Sequence, residues 1–324
     1  MDINPLSVAP MMAWTDRHCR YLHRLYSPNA LLFTEMVTTG ALTHGKQWWQ
    51  LNHNVAEYPL ALQLGGNHPG DLAFCSAEAA KRGFCEINLN VGCPSNRVQK
   101  GTFGACLMQQ PKLVAQCIKA MLDAVDPKVA ISVKCRLGVD DYDSDELLAD
   151  FVGTVAETGC DRFYIHARKA LLNGLTPAQN RSIPPLQPLR VKKLKAQFPH
   201  LSIIYNGGIE TLEQVQEYLT FADGVMVGRS AYNNPMLLSK IDHDLNNGGL
   251  PSIWSIMSAY REYMVQELAQ GALLHHMTKH LLHSFTGVPH AKHFRRKLSD
   301  QKALKLNDIG LFDEALNLVA QHAA

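Results

Sequence analysis

Cys93 stands between glycine and proline in Asn90-Val91-Gly92-Cys93-Pro94, directly after an apolar run. Gly-Cys-Pro at the end of a strand puts a thiol in a loop rather than in a core. With an ordinary pKa of ~8.5 a thiol stays mostly protonated at neutral pH and can act as a general acid. With a lowered pKa it could equally be a nucleophile. The other cysteines (Cys19, Cys75, Cys85, Cys106, Cys117, Cys135, Cys160) are scattered, form no CxxC, and suit small buried hydrophobes in a reducing compartment. Lys134 follows Val129-Ala-Ile-Ser-Val133. At the end of a buried strand its ammonium could stabilise negative charge developing on a bound ring, or it could pair with Glu35. His166 could donate a hydrogen bond to the same ligand. Asn206-Gly207-Gly208 and Gly228-Arg229 combine glycines, which let backbone N–H groups approach an anion, with a guanidinium. That chemistry suits a phosphate.

Such groups need a scaffold that brings them to one rim. Short apolar runs are read as strands at Leu6–Pro10, Leu31–Thr34, Pro59–Leu64, Phe84–Asn90, Val129–Cys135, Arg162–His166, Ser202–Asn206 and Gly224–Gly228. Helical patterns fill most gaps, at Pro69–Arg82, Pro111–Val125, Ser144–Thr158, Pro188–Phe198 and Leu212–Leu219, several opening on Pro, Ser or Thr. Alternating strands and helices imply a parallel sheet. Eight such units match a (β/α)8 TIM barrel, an α/β fold, in number and length. A doubly wound sheet normally has a glycine-rich turn after its first strand, but Ala9-Pro10-Met11-Met12 has no glycine. Residues 244–252 read as a linker. Beyond it, Ile253–Gln270, Leu273–Phe285, Pro289–Leu298 and Leu311–Gln321 read as a small all-helical C-terminal domain. The division is therefore 1–243 for the catalytic barrel and 244–324 for the helical domain. In a barrel the strands' C-terminal ends carry the chemistry, and here nearly every one delivers a polar group, including Gln63 before Gly65-Gly66. Buried polar ends are costly without partners, so a ring of them implies a ligand.

The chain has 324 residues, 46% hydrophobic and 19% charged, with a formal net charge of +2. This is globular composition, and it excludes a whole-chain polycation. No apolar stretch reaches the ~18 residues of a membrane helix, and the start Met1-Asp2-Ile3-Asn4-Pro5 lacks signal-peptide features. A cytoplasmic protein is expected.

Asn88-Leu89-Asn90-Val91-Gly92-Cys93-Pro94, followed by Lys100-Gly-Thr-Phe-Gly104-Ala-Cys106-Leu-Met108, resembles the tRNA-dihydrouridine synthases. The likeness extends through Ala9-Pro10-Met11, Gln63 to Gly66, Lys134 to Gly138, His166-Ala-Arg168, Asn206 to Gly208 and Gly224 to Arg229, nearly the full length. His166 to Ala170 and Asn180-Arg181 to Leu186 resemble the A-type subfamily, which acts on tRNA D-loop uridines 20 and 20a. The resemblance implies FMN as cofactor, with NADPH, or NADH, as reductant. It places Ala9, Pro10 and Met11 along the flavin ring, and gives Gln63, Lys134 and His166 hydrogen bonds to it. Asn206, Gly207, Gly208, Gly228 and Arg229 would hold its phosphate end. Hydride would pass from reduced FMN to C6 of uracil, and Cys93 would protonate C5. Asn90 would lie beside the flipped base. Where the subfamily often carries a basic residue, this chain has Ala178-Gln179, which leaves Asn180 and Arg181 as the RNA-binding candidates there. No NADPH fingerprint is present, so the nicotinamide is expected to share the open flavin face.

Between Glu267 and Asp300 there is no acidic residue, only Lys279, Lys292, Arg295, Arg296, Lys297 and six histidines. Such a patch fits phosphate contacts, and Lys292, Arg295 and Arg296 join Arg181 as candidate tRNA contacts. It could also be a solvated helix face. His276 and His280 are spaced i,i+4 but have no further ligand, so no metal is expected. The competing enzyme reading is an FMN barrel reductase or dehydrogenase acting on a small pyrimidine. A non-catalytic reading is an RNA-binding barrel that has lost its chemistry. A monomer is expected.

Overall fold

The computed structural model describes residues 4–95, 98 and 101–320. Met1 to Ile3, Lys100 and Gln321, used above, lie outside the described residues. Eight strands form one closed parallel barrel in chain order: β1 Leu6–Val8, β2 Leu31–Thr38, β3 Leu60–Gly65, β4 Glu86–Val91, β5 Ala130–Arg136, β6 Arg162–His166, β7 Ser202–Asn206 and β8 Gly224–Val227. The helices around it are α1 Arg17–Tyr26, α2 Thr39–Thr43, α3 Pro69–Lys81, α4 Pro111–Asp123, α5 Asp145–Ala156, α6 Pro188–Gln197, α7 Leu212–Leu219, α8 Arg229–Asn233 and α9 Met236–Asn246. Proline in the first turn starts α3, α4 and α6, where its missing N–H costs nothing. Thr211 and Gln214 close a capping box on α7.

The strands bury both faces, as a parallel barrel requires. The outer face packs on the helices. The inner face is filled by Ala9, Leu31, Phe33, Ala61, Tyr164, Ile204 and Met226, with buried polar residues among them. β2 runs on to Thr38 beyond the expected end at Thr34, with an irregularity between Phe33 and Met36. The polar Glu35 at that kink hid the continuation.

Helices α10 Ile253–Ala269, α11 Leu274–Thr278, α12 Ala291–Leu298, α13 Gln301–Leu304 and α14 Gly310–Ala320 form the C-terminal part. The expected linker is shorter than 244–252. Leu245 packs on the core, so α9 continues to Asn246 and stops at Asn247, whose φ of 52° is left-handed. The helix expected over Leu273–Phe285 is α11 followed by a tighter 3-10 turn, Lys279–His283, in which His280 turns inward.

The helical part is seated on α1. His18 Nδ1 lies 2.7 Å from the Tyr263 hydroxyl, Tyr21 stacks on Tyr263 at 3.9 Å, and Arg17 pairs with Glu267. Asp16, the N-cap of α1, meets Lys279 at 2.7 Å and His280 at 2.9 Å. Burial raises the Asp16 pKa, but these two partners outweigh it and hold the carboxyl well below the usual range. Among the described residues no helix is long and apolar enough to cross a membrane.

Candidate active site

The barrel register brings the polar strand ends together. Gln63 is opposite Asn88, Asn90 opposite Lys134, Arg136 opposite His166, and His166 opposite Asn206. Asn90 aims its side-chain oxygen at the loop after β4, accepting from Gly92 N at 3.2 Å and Cys93 N at 3.0 Å. Cys93 is partly exposed, with Sγ 3.6 Å from Ser95 Oγ. Its carbonyl accepts from Ala105 N at 2.9 Å. Gly104 has φ +77°, and a Cβ there would lie 2.6 Å from the Cys93 oxygen. The glycine of the Lys100–Met108 motif therefore allows the thiol loop to close on the segment after it.

Lys134 Nζ donates to Asn206 Oδ1 at 2.9 Å, so its partner is not Glu35. Asn206 is oriented in turn by its bond to the Met226 carbonyl at 2.8 Å. Burial, reinforced by Arg136, lowers the Lys134 pKa to about 8. His166 is driven well below its ordinary value by burial and then by Arg136, Lys134, Arg168 and Arg229. Its ring is therefore neutral at physiological pH. The charges acting most strongly on it are all cations, so the field at this rim is positive.

The glycine loops have a structural cause of their own. Gly207 and Gly208 take φ of +130° and +67°, and a Cβ on Gly208 would lie 2.3 Å from Leu186 Cδ1. The fold demands both glycines before any ligand arrives. Gly228 is roomier, with Ala9 Cβ 3.8 Å from an added Cβ, and α8 begins beside it without a side-chain cap. Arg229 bonds the Arg181 carbonyl at 3.1 Å, which ties the end of β8 to the loop after β6. Ala9 is buried beside β8, bonding the Val227 carbonyl at 2.8 Å, while Pro10 and Met11 are half-buried at the rim. Gln63 is buried, with both polar atoms engaged by Asn88 and Asn90 at 2.8 Å, and its second amide N–H is what it can offer a ligand.

The expectation that Asn180 touches RNA is corrected. It is fully buried, and its amide bonds the Leu171 backbone at 2.8 Å in both directions. A polar residue read as surface is instead the organiser of the loop that presents the exposed Arg181. Arg136, to which the sequence reading assigned no role, fastens this loop to the thiol loop. It donates to Gly92 O at 2.9 Å, Lys169 O at 3.1 Å and Asn180 O at 3.0 Å. Its place two residues after Lys134 on β5 was the available signal.

On α12, Lys292 and Arg296 are exposed and Arg295 half-buried, with no carboxylate partner among the described residues. The wider basic run is reduced elsewhere: Lys279 is spent on Asp16 and Lys297 on Glu314. His280 is buried between Asp16 and the Tyr232 hydroxyl, which makes it part of the seam.

Comparison with known proteins agrees with this geometry. Morphinone reductase shares the barrel fold, with a TM-score of 0.52 at 12% identity over 76% of this chain and 87% of that one. Three similar proteins carry the name tRNA-dihydrouridine(20/20a) synthase. That of Yersinia pestis is 52% identical over 97% of this chain and 91% of its own length. That of Vibrio vulnificus is 50% identical over 98% and 97%, and that of Escherichia coli K12 is 51% identical over 97% and 91%. The family model for dihydrouridine synthase matches residues 7–319, which spans both the barrel with its thiol loop and the helical part. Matched over nearly its whole length by that family model and by relatives about half identical to it, the chain belongs to the dihydrouridine synthase family.

Proposed function

We propose that this chain holds FMN across the barrel mouth and, with NADPH as reductant, reduces uridines 20 and 20a in the tRNA D-loop to 5,6-dihydrouridine. The observation that carries this reading is the convergence of the partly exposed Cys93 thiol and a cluster of cations, without a carboxylate partner among the described residues, on a single rim. The residues fit the cofactor: Lys134 keeps ammonium protons beyond its bond to Asn206, the neutral His166 ring carries an N–H, and Arg229 with the glycine loops suits a phosphate. When bound, the flavin supplies the electron pair that reduces the base.

The chain's own residues do the rest. Ala9, Pro10 and Met11 line the ring, and Lys134 stabilises negative charge at its pyrimidine edge. Asn90 holds the Cys93 loop and keeps one amide N–H for the flipped uracil. Cys93 delivers the C5 proton. Arg181, Lys292, Arg295 and Arg296 grip phosphates along the groove between barrel and helices. We place the enzyme in the cytoplasm as a monomer. The test is mass spectrometry of cellular tRNA with the gene deleted and restored. Loss and recovery of dihydrouridine at positions 20 and 20a is the expected result, and unchanged tRNA refutes it.

A reductase for a free pyrimidine leaves the exposed cations of α12 without a task. Replacing Arg295 and Arg296 together with alanine should lower the log–log salt slope of tRNA binding by about 2, while flavin reduction by NADPH stays unchanged. An unaltered slope in a filter-binding titration removes these residues from the RNA surface.

A further inference from the structure

The barrel interior contains a chain of side-chain hydrogen bonds that starts far from Cys93 and ends on the backbone of the loop that carries it. Arg162 donates to Glu86 Oε2 at 2.6 Å. Ser132 Oγ donates to Glu86 Oε1 at 2.6 Å, and Asn88 Nδ2 donates to Ser132 Oγ at 2.8 Å. Gln63 Nε2 donates to Asn88 Oδ1 and Asn90 Nδ2 to Gln63 Oε1, each at 2.8 Å. Asn90 Oδ1 then accepts from the backbone N–H groups of Gly92 and Cys93. Every side chain from Arg162 to Asn90 is buried, so water cannot substitute for a lost partner.

The direction of this chain is not free. A carboxylate only accepts, so Ser132 must give its single proton to Glu86. Ser132 is then left as the acceptor for Asn88, which turns the Asn88 oxygen toward Gln63. The same constraint passes through Gln63 to Asn90 and leaves the Asn90 oxygen facing the Cys93 loop. Reversing any amide would set donor against donor at the next link.

We propose that Glu86 is a positioning residue for Cys93: its carboxylate sets the direction of the hydrogen-bond chain and thereby the acceptor that holds the thiol loop. The proposal rests on the reading of Cys93 as proton donor. Arg162 keeps Glu86 in place, and Ser132 is the link at which the bias enters the amide chain. In Glu86→Gln the side-chain oxygen goes to Arg162, and its NH2 donates to Ser132. Ser132 is then released from giving its proton to residue 86 and can donate to Asn88 instead; with that amide turned, the chain reverses and Asn90 presents NH2 to the N–H groups of Gly92 and Cys93.

The test uses the FMN-loaded enzyme with tRNA transcript, and hydrogen exchange on the flavin-free protein. Glu86→Gln is expected to lower kcat for tRNA reduction about 100-fold, the size of effect that misplacing a reacting group by an ångström can have. Exchange at Gly92 and Cys93 should speed up at least about tenfold. Ser132→Ala cuts the chain instead of reversing it and should cost about tenfold. Adding Ser132→Ala to Glu86→Gln should therefore restore about tenfold of the lost rate. A double variant as slow as or slower than Glu86→Gln overturns the proposal, because losses of packing or stability add rather than cancel. If Glu86→Gln does not fold, Ser132→Ala alone still decides: wild-type kcat and wild-type exchange at Cys93 sink the idea. Failure of the wild-type enzyme to reduce tRNA in the same assay would refute the proposed function and not the positioning role.

Discussion

Replacing Cys93 with alanine is expected to slow uracil reduction by about 10²–10⁴-fold, the range for removing a general acid, and to leave flavin reduction by NADPH intact. The two half-reactions separate cleanly in anaerobic stopped-flow. The bound flavin should bleach with NADPH at the normal rate, then remain bleached after tRNA is added. Among the described residues the side-chain partner of the thiol is Ser95 Oγ at 3.6 Å, and no carboxylate or imidazole bonds it. The loop carrying it is tied down by Asn90 and Ala105, so the thiol is held but not buried. Reoxidation by tRNA within a few-fold of wild type would remove Cys93 from the chemistry.

Lys134→Met should act in opposite directions on function and stability. Without the ammonium the rate of tRNA reduction is expected to fall by about 10²–10³-fold, the effect of deleting one preorganised donor from a closed site. The flavin-free protein should become more stable at pH 7 by about 2 kcal/mol. Burial has lowered the Lys134 pKa to about 8, so keeping the charge costs free energy that methionine does not incur. The figure is below the full value of the shift because the side chain is not wholly removed from solvent. The sign in pH follows from proton binding. Between pH 8 and the ordinary lysine range near 10.4 the unfolded chain binds more protons than the native one, so the Lys134 contribution to stability rises with pH. The cost is complete below about pH 8 and relieved above it. Urea unfolding of flavin-free wild type and variant at pH 7 and pH 10 checks this. The gap should narrow at the higher pH, and a variant less stable than wild type at pH 7 would contradict the account.

The barrel was legible because most of its strands are short, largely apolar runs that end on polar residues. β6, β7 and α7 occupy the expected residues, since apolar stretches bounded by polar ends leave little choice of register. Helix α1 was not legible. Its buried side includes His18, Arg20 and His23, which break the apolar period although all are inside. Asn180 was misread for the same reason, because a polar side chain that satisfies backbone inside a loop looks like a surface residue. The relay from Glu86 was present as polar residues at every second position of β4, Glu86, Asn88 and Asn90, the spacing that turns all three inward. Read one at a time they suggest no joint purpose. Which cations of the C-terminal run face solvent also required coordinates, because Asp16 is remote in sequence from Lys279 and His280.

The seam between α1 and the C-terminal helices is knit from aromatic stacking, buried histidines and ion pairs, with no hinge among them. These contacts tie the α1 side of the barrel to the helical part that carries α12. An RNA that touches both must supply the accommodation itself, by swinging out its base and bending its loop. If the cations of α12 grip the RNA as proposed, the uridine chosen is the one lying at the thiol-to-α12 distance from the gripped backbone, and changing the seam would shift the chosen position along the strand without altering the chemistry.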